Sequence, residues 1–138
     1  MLWRNKAAEL VPEFRTAIRK ADNVMTLWTD LYLGLEDAYE EVPPNEDVIA
    51  RIYDFARWCM NNSAERDDPR TAVSVAFYEH LPTNAKVRAG LQKHLSQQEF
   101  MDLKSLFQYF LSKSDYADFE REFLTGIQPA RGGPKSDA

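Results

Sequence analysis

The feature that most constrains the fold of this chain is a series of helix start and stop signals that recur about every fifteen to twenty residues. Asn45, Asp68 and Ser96 are suited to cap helix N-termini, and Pro43-Pro44 is a helix stop. Between these signals, apolar residues recur at i, i+3 and i+4, which is the spacing of one helix face, and no segment alternates convincingly as a strand does. The sequence therefore predicts an all-α protein.

The same signals predict about seven short helices arranged as an array or bundle in one domain, residues 1–127, followed by a flexible tail over residues 128–138. At 138 residues, a domain buries roughly two thirds of the surface of its unfolded chain, so no metal or disulfide is needed for stability. Two apolar helices, at 45–60 and 71–81, are expected to be central. The others are expected at 3–21, 24–41, 83–95, 96–111 and 112–126.

Two of these predicted helices leave an alternative open. Pro12 either kinks the first helix or opens a second segment, because proline fits the first helical position but not a helix interior. The β-branched residues of 71–81 also fit a short buried strand. Asp68-Pro69 at its start and Leu81-Pro82 at its end favour a helix.

The charge balance narrows the kinds of partner. The chain has 22 acidic and 17 basic residues, a net charge of -5, so it lacks the positive field typical of proteins that bind nucleic acid or anionic lipid. No apolar run is long enough to span a membrane, and charges interrupt the first residues where a secretory signal would be apolar. We therefore expect a cytoplasmic protein without nucleic-acid or membrane partners. A charged protein partner would be basic, and the sequence does not indicate the oligomeric state.

The sequence contains none of the motifs that identify common catalytic or cofactor sites. Phosphate-binding loops and nucleophile elbows need closely spaced glycines, and the chain has only 5 glycines, three of them near the C-terminus. We predict no catalytic residue, no cofactor and no metal site. The single cysteine, Cys59, lies in an apolar helical setting and is interpreted as a small buried hydrophobe.

A group of acidic residues at the end of the second helix is the first candidate site. Glu36 with Glu40 and Asp37 with Glu41 are like-charge i, i+4 pairs, each destabilising by about 0.2–0.5 kcal/mol, at a helix C-terminus that disfavours negative charge. This pattern favours a surface for a basic protein partner, with Tyr39 as an aromatic anchor. The alternative is a solvated face neutralised by Lys or Arg from a neighbouring helix. We refer to the four carboxylates as the acidic corner.

Glu79 and His80 form the second candidate site, near the end of the predicted 71–81 helix. Used as general acid and base or as metal ligands, with or without His94, they would make the protein an enzyme or a metal protein. However, neighbouring helix residues point about 100° apart, which hinders action on one substrate atom. The structural alternative has His80 hydrogen-bonded across the core and Glu79 paired with Arg51 or Arg57.

The segments Phe55-Ala56-Arg57-Trp58-Cys59 and Ala72 to Leu81, with its Ala-Val-x-Val-x-Phe-x-Glu-His-Leu pattern, resemble the central signature of a small bacterial all-helical family of unknown function. The resemblance spans about residues 10–123. It implies a compact helical fold with the Glu-His-Leu helix at its middle, and it implies no activity. In size and charge the chain also resembles immunity proteins of bacterial toxin loci, which implies a non-enzymatic interaction module.

Overall fold

The computed structural model describes residues 2–126, which fold into helices joined by short turns and contain no β-strand. The predicted all-α class is confirmed. The predicted tail at 128–138 lies outside the described residues. No helix within 2–126 has the length and apolar character needed to cross a bilayer.

Nine α-helices and three 3₁₀ segments make up the described part of the chain. The α-helices are α1 (Leu2–Leu10), α2 (Arg15–Lys20), α3 (Val24–Glu40), α4 (Glu46–Met60), α5 (Pro69–Ala76), α6 (Ala85–Gly90), α7 (Gln97–Asp102), α8 (Lys104–Phe107) and α9 (Lys113–Thr125). The 3₁₀ segments are Pro12–Phe14, Tyr78–Thr83 and Leu91–Lys93.

The core is built around α3, α4 and α5, which pack against one another. Trp28 of α3 stacks on Phe55 of α4 with ring centroids 5.2 Å apart, and Phe77 lies 4.7 Å from Trp28. Cys59 is buried beside them and accepts a hydrogen bond from the Trp28 indole, so its predicted structural role is confirmed. The centre is therefore three helices rather than the two expected.

The predicted caps are observed at the helix starts where the sequence places them. Asn45 and Asp68 accept hydrogen bonds from the third residue after them, and Ser96 forms a reciprocal capping box with Glu99. Gly126 adopts a left-handed conformation, φ 71°, that ends α9. Side-chain caps are present at six of the nine α-helix starts in the described range, so local side-chain chemistry defines most of these starts.

The predicted continuous helix at 71–81 is wrong. Its α-helical part ends at Ala76, the backbone turns at Phe77 (φ -124°, ψ -71°), and a 3₁₀ segment follows from Tyr78. Pro82 explains the change, because in an α-helix its ring would clash with the carbonyl of residue 78 and its missing N–H would leave that carbonyl without a donor. Consequently Glu79 and His80 lie in a 3₁₀ turn.

The other departures are also interruptions of predicted helices. The chain leaves α1 before Pro12, and that proline opens a new segment, which is the second of the two alternatives. The predicted helix at 83–95 becomes 3₁₀ after Gly90, and the one at 96–111 breaks at Leu103. The last α-helical residue of this region is Phe107. The turn that follows it points the later side chains in directions other than those a continuous helix would give them.

One nearly buried ion pair attaches α9 to the rest of the fold. Arg88 of α6 donates two hydrogen bonds of 2.8 Å to the two carboxylate oxygens of Glu122, which is 8% exposed. The guanidinium also lies over the ring of Phe119, 5.1 Å from its centroid. This bidentate geometry satisfies a charge that would otherwise be costly to bury.

Candidate interaction surface at the end of helix α3

The acidic corner lies where α3 ends and the chain turns into α4. The backbone N–H of Asn45 donates a 3.0 Å hydrogen bond to the carbonyl of Ala38, and the Asn45 side chain caps α4. The turn between them contains a cis peptide bond before Pro43. The carboxylates therefore lie on the last part of α3 and at its C-cap, next to a turn that is hydrogen-bonded at its base.

Side chains from later in the sequence form an ion pair and a hydrogen bond with two of the carboxylates of the acidic corner. Lys86 of α6 forms a 3.0 Å ion pair with Glu40, and the side-chain amide of Asn84 donates a 3.0 Å hydrogen bond to Glu36. The expectation of uncompensated carboxylates is thus wrong for Glu40. Because the side chains of Lys86 and Glu40 are 56% and 65% exposed, this pair stabilises the fold by at most about 1 kcal/mol.

The carboxylates of Asp37 and Glu41 have no such partner within residues 2–126. Both side chains are exposed, and neither carboxylate forms an ion pair or a hydrogen bond in that range. They lie at the C-terminal end of α3, where the helix dipole disfavours negative charge. These two carboxylates are the exposed part of the acidic corner that has no partner within residues 2–126.

The predicted role of Tyr39 as an exposed anchor is wrong. Its side chain is buried, and it packs against Gly90 so closely that a Cβ at that position would lie 2.6 Å from the tyrosine hydroxyl. Burial, followed by the nearby Glu46 carboxylate, raises the pKa of Tyr39 well above its usual value. Tyr39 packs between α3 and α6 as a buried side chain, so it is not available to a partner.

A group of polar side chains beneath the corner was not predicted. The ring of His94 stacks on that of Tyr53, with centroids 4.9 Å apart and planes 7° from parallel. Its Nε2 lies 3.5 Å from a carboxylate oxygen of Glu46, within ion-pair range but without hydrogen-bond geometry. Sequence reasoning considered His94 only as an additional member of an enzyme or metal site with Glu79 and His80, because Tyr53 and Glu46 are more than 40 residues away along the chain.

The environment of His94 predicts a pH-dependent stability. Burial lowers the pKa of His94 from 6.5, assisted by Arg57 and Lys93 and opposed by Glu46. The unfolded chain therefore takes up a proton at a higher pH than the folded protein does. We expect the free energy of unfolding to be largest above pH 6.5 and to fall as the pH is lowered below that value.

Urea denaturation at pH 7.5 and pH 5.5 tests this expectation. The substitution His94→Asn should reduce the loss of stability between the two pH values, whereas His80→Asn is the matched histidine control. The carboxyl groups whose pKa is lowered, such as Glu99, act at lower pH, below about 4.5. An equal pH dependence in wild-type protein and the His94 variant would contradict the assignment.

The second candidate site is not assembled as either sequence hypothesis expected. His80 is half-buried between the rings of Tyr32 and Phe110, at centroid distances of 5.7 and 4.9 Å, and its backbone carbonyl accepts the Tyr32 hydroxyl. Within residues 2–126, the imidazole of His80 forms no hydrogen bond across the core. Its role is aromatic packing at the protein surface.

The predicted pairing of Glu79 with an arginine is wrong. Arg51 binds Glu13 and Asp47, and Arg57 binds Glu99 at 2.7 Å, so both guanidinium groups have other partners. Glu79 itself forms no ion pair with a described residue. Among residues 2–126 there is also no cluster of three or more His, Cys, Asp or Glu side chains arranged to hold a metal ion.

The fold and this surface define an all-α protein with an acidic corner at the junction of α3 and α4. No protein-family model, no curated protein and no solved structure matches the chain. The resemblances to a helical family of unknown function and to immunity proteins stay predictions. The function therefore has to be argued from the residues of the surface.

Proposed function

We propose that the protein is a non-enzymatic interaction module that binds a basic segment of a protein partner through the acidic corner. The observation that carries this proposal is the exposure of Asp37 and Glu41 without a compensating cation among residues 2–126, in a chain whose net charge is -5. Unpaired charges at a helix end that disfavours them reduce stability slightly and attract a cationic ligand. A cationic toxin, as bound by the immunity proteins that the chain resembles in size and charge, is one partner of this kind.

The exposure of these carboxylates limits how much binding free energy the surface contributes. Exposed carboxylates act through long-range attraction, which speeds association and depends on salt, rather than through a large gain in affinity. Lys86 leaves Glu40 partly neutralised, and a stronger cationic ligand would compete for that carboxylate. Binding should therefore weaken steeply with ionic strength.

Charge reversal at the corner tests the proposal. We expect Asp37→Lys with Glu41→Lys to weaken binding of the octapeptide (Lys-Ala)4 by about tenfold, measured by calorimetric titration at about 50 mM salt. Four altered charge interactions of roughly 0.35 kcal/mol each sum to about 1.4 kcal/mol, which is a factor of ten. At about 300 mM salt, the difference in affinity between wild-type protein and the variant should be smaller, because the Debye length shortens.

A matched pair of substitutions separates this site from the net charge. Asp22→Lys with Glu65→Lys makes the same change of charge on two exposed residues. Asp22 precedes α3, about 20 Å from the corner at 1.5 Å per residue, and Glu65 lies in the loop whose Asp67 accepts a hydrogen bond from the backbone N–H of Val24 at the start of α3. That variant should lose only the small part of the affinity that comes from net charge. Equal losses in the two variants, or no binding by wild-type protein, would refute the proposal.

A further inference from the structure

A row of aromatic side chains lies on the surface near the acidic corner. The ring of Phe110 contacts His80, with centroids 4.9 Å apart, and meets Tyr109 edge to face at 4.9 Å. His80 in turn contacts Tyr32 of α3 at 5.7 Å. We refer to Tyr32, His80, Tyr109 and Phe110 as the aromatic strip.

The exposure of this strip is unusual for the protein. Phe110 is 50% exposed and Tyr109 is 69% exposed, and they are the one exposed phenylalanine and the one exposed tyrosine in the described range. Single exposed apolar residues are ordinary, but rings in mutual contact form a continuous patch, and such patches mark binding surfaces. Leaving these rings in water forgoes a stabilisation of about 25 cal/mol per Å² of apolar surface.

The aromatic strip and the acidic corner are continuous along α3. Tyr32, Glu36 and Glu40 follow one another at i+4 spacing, so they lie along one face over about 12 Å. Burial is the main cause that raises the pKa of the Tyr32 hydroxyl; a hydrogen bond with Thr83 opposes it, and the Glu36 carboxylate raises the pKa further. The hydrogen bond that Glu36 accepts comes from the neutral Asn84.

Another carboxylate without an ion-pair partner among the described residues lies next to the strip. Glu79 immediately precedes His80 in the 3₁₀ segment, is half-buried and has no ion-pair partner within residues 2–126. Negative charge beside the faces of aromatic rings is the environment that favours a cation, which gains from the ring quadrupole and from the carboxylates together. The negative charge around this apolar patch therefore favours a cationic group as the ligand that covers it.

We propose that the aromatic strip and the acidic corner together bind an arginine-containing basic segment of the partner, with a guanidinium stacked on the rings and paired with a flanking carboxylate. A planar guanidinium suits this surface better than an ammonium, because it stacks on aromatic faces and forms bidentate bonds to carboxylates. This inference rests on the proposed function and adds a preference for arginine over lysine.

The preference is measured by titrating wild-type protein with (Arg-Ala)4 and with (Lys-Ala)4, which carry the same charge. We expect the arginine peptide to bind at least about fivefold more tightly. The double substitution Tyr109→Ser with Phe110→Ser should abolish the preference for the arginine peptide. The affinity for the lysine peptide should stay within about twofold of the wild-type value. Phe110→Leu keeps an apolar side chain but loses the π face, and it should also lower the preference.

The matched control removes two other exposed apolar side chains, Leu2→Ser with Leu124→Ser, and should keep the arginine preference. Circular dichroism and thermal unfolding establish that each variant is folded. Equal affinity of wild-type protein for the two peptides would overturn this inference, and so would a preference that persists in the Tyr109 and Phe110 variant. Neither result would contradict the proposed function, whose own test is the charge reversal at Asp37 and Glu41 measured with the lysine peptide.

Discussion

The substitution Phe77→Ala is expected to lower the free energy of unfolding by about 3–5 kcal/mol, the range for removing a buried phenylalanine ring. Phe77 is fully buried where α5 ends, and its ring contacts Trp28 and Tyr53, with centroids 4.7 and 5.6 Å away. Since a domain of this kind has about 5–15 kcal/mol of stability, the loss is a large part of the total.

Urea denaturation followed by circular dichroism at 222 nm measures this loss. Phe110→Ala is the matched control, because it removes the same ring from a half-exposed position and should cost less than about 1 kcal/mol. Phe77→Leu, which keeps most of the volume, should fall between the two. Similar losses at Phe77 and Phe110 would contradict the placement of Phe77 at the centre of the core.

The second large effect is expected at the ion pair between α6 and α9. Arg88→Met should lower the free energy of unfolding by about 3 kcal/mol, because it leaves the Glu122 carboxylate nearly buried without its bidentate partner. Methionine keeps an apolar stem, so the loss reports mainly the missing charge. We expect α9 to lose amide hydrogen-exchange protection before the other helices.

A second substitution distinguishes the contribution of the ion pair from the contribution of side-chain packing. Arg88→Met combined with Glu122→Leu should recover stability to within about 1 kcal/mol of wild type, because apolar side chains replace both buried charges. Arg121→Met, which breaks the exposed pair with Asp118, should change stability by less than about 1 kcal/mol. A double variant no more stable than Arg88→Met alone would show that the arginine acts mainly through packing.

The parts of the fold that the sequence predicts best are those determined by local chemistry. The start of α4 follows from Asn45 and the negative charges of its first turn, and the end of α3 lies within one residue of the predicted boundary. The breaks at Phe77 and after Phe107 were missed, because apolar spacing alone does not distinguish a continuous helix from α and 3₁₀ segments in succession.

The candidate site could be predicted only in part for a similar reason. The spacing that predicts α3 also places Tyr39 four residues after Leu35 on the buried face, so its burial was available from the sequence. In contrast, the pairing of Lys86 with Glu40 joins residues 46 apart and depends on how α6 packs. The aromatic strip depends in the same way on the end of α8, since a continuous helix would have directed Phe110 inward.

The most direct measurement of the central claim is a nitrogen-15 NMR titration of the wild-type protein with (Arg-Ala)4. The account predicts saturable shifts of the backbone amides of residues 36–41, 79–80 and 109–110, with much smaller shifts around Asp22 and Glu65. Shifts that follow every exposed carboxylate equally, or that are concentrated away from α3, would contradict a defined surface for a basic segment.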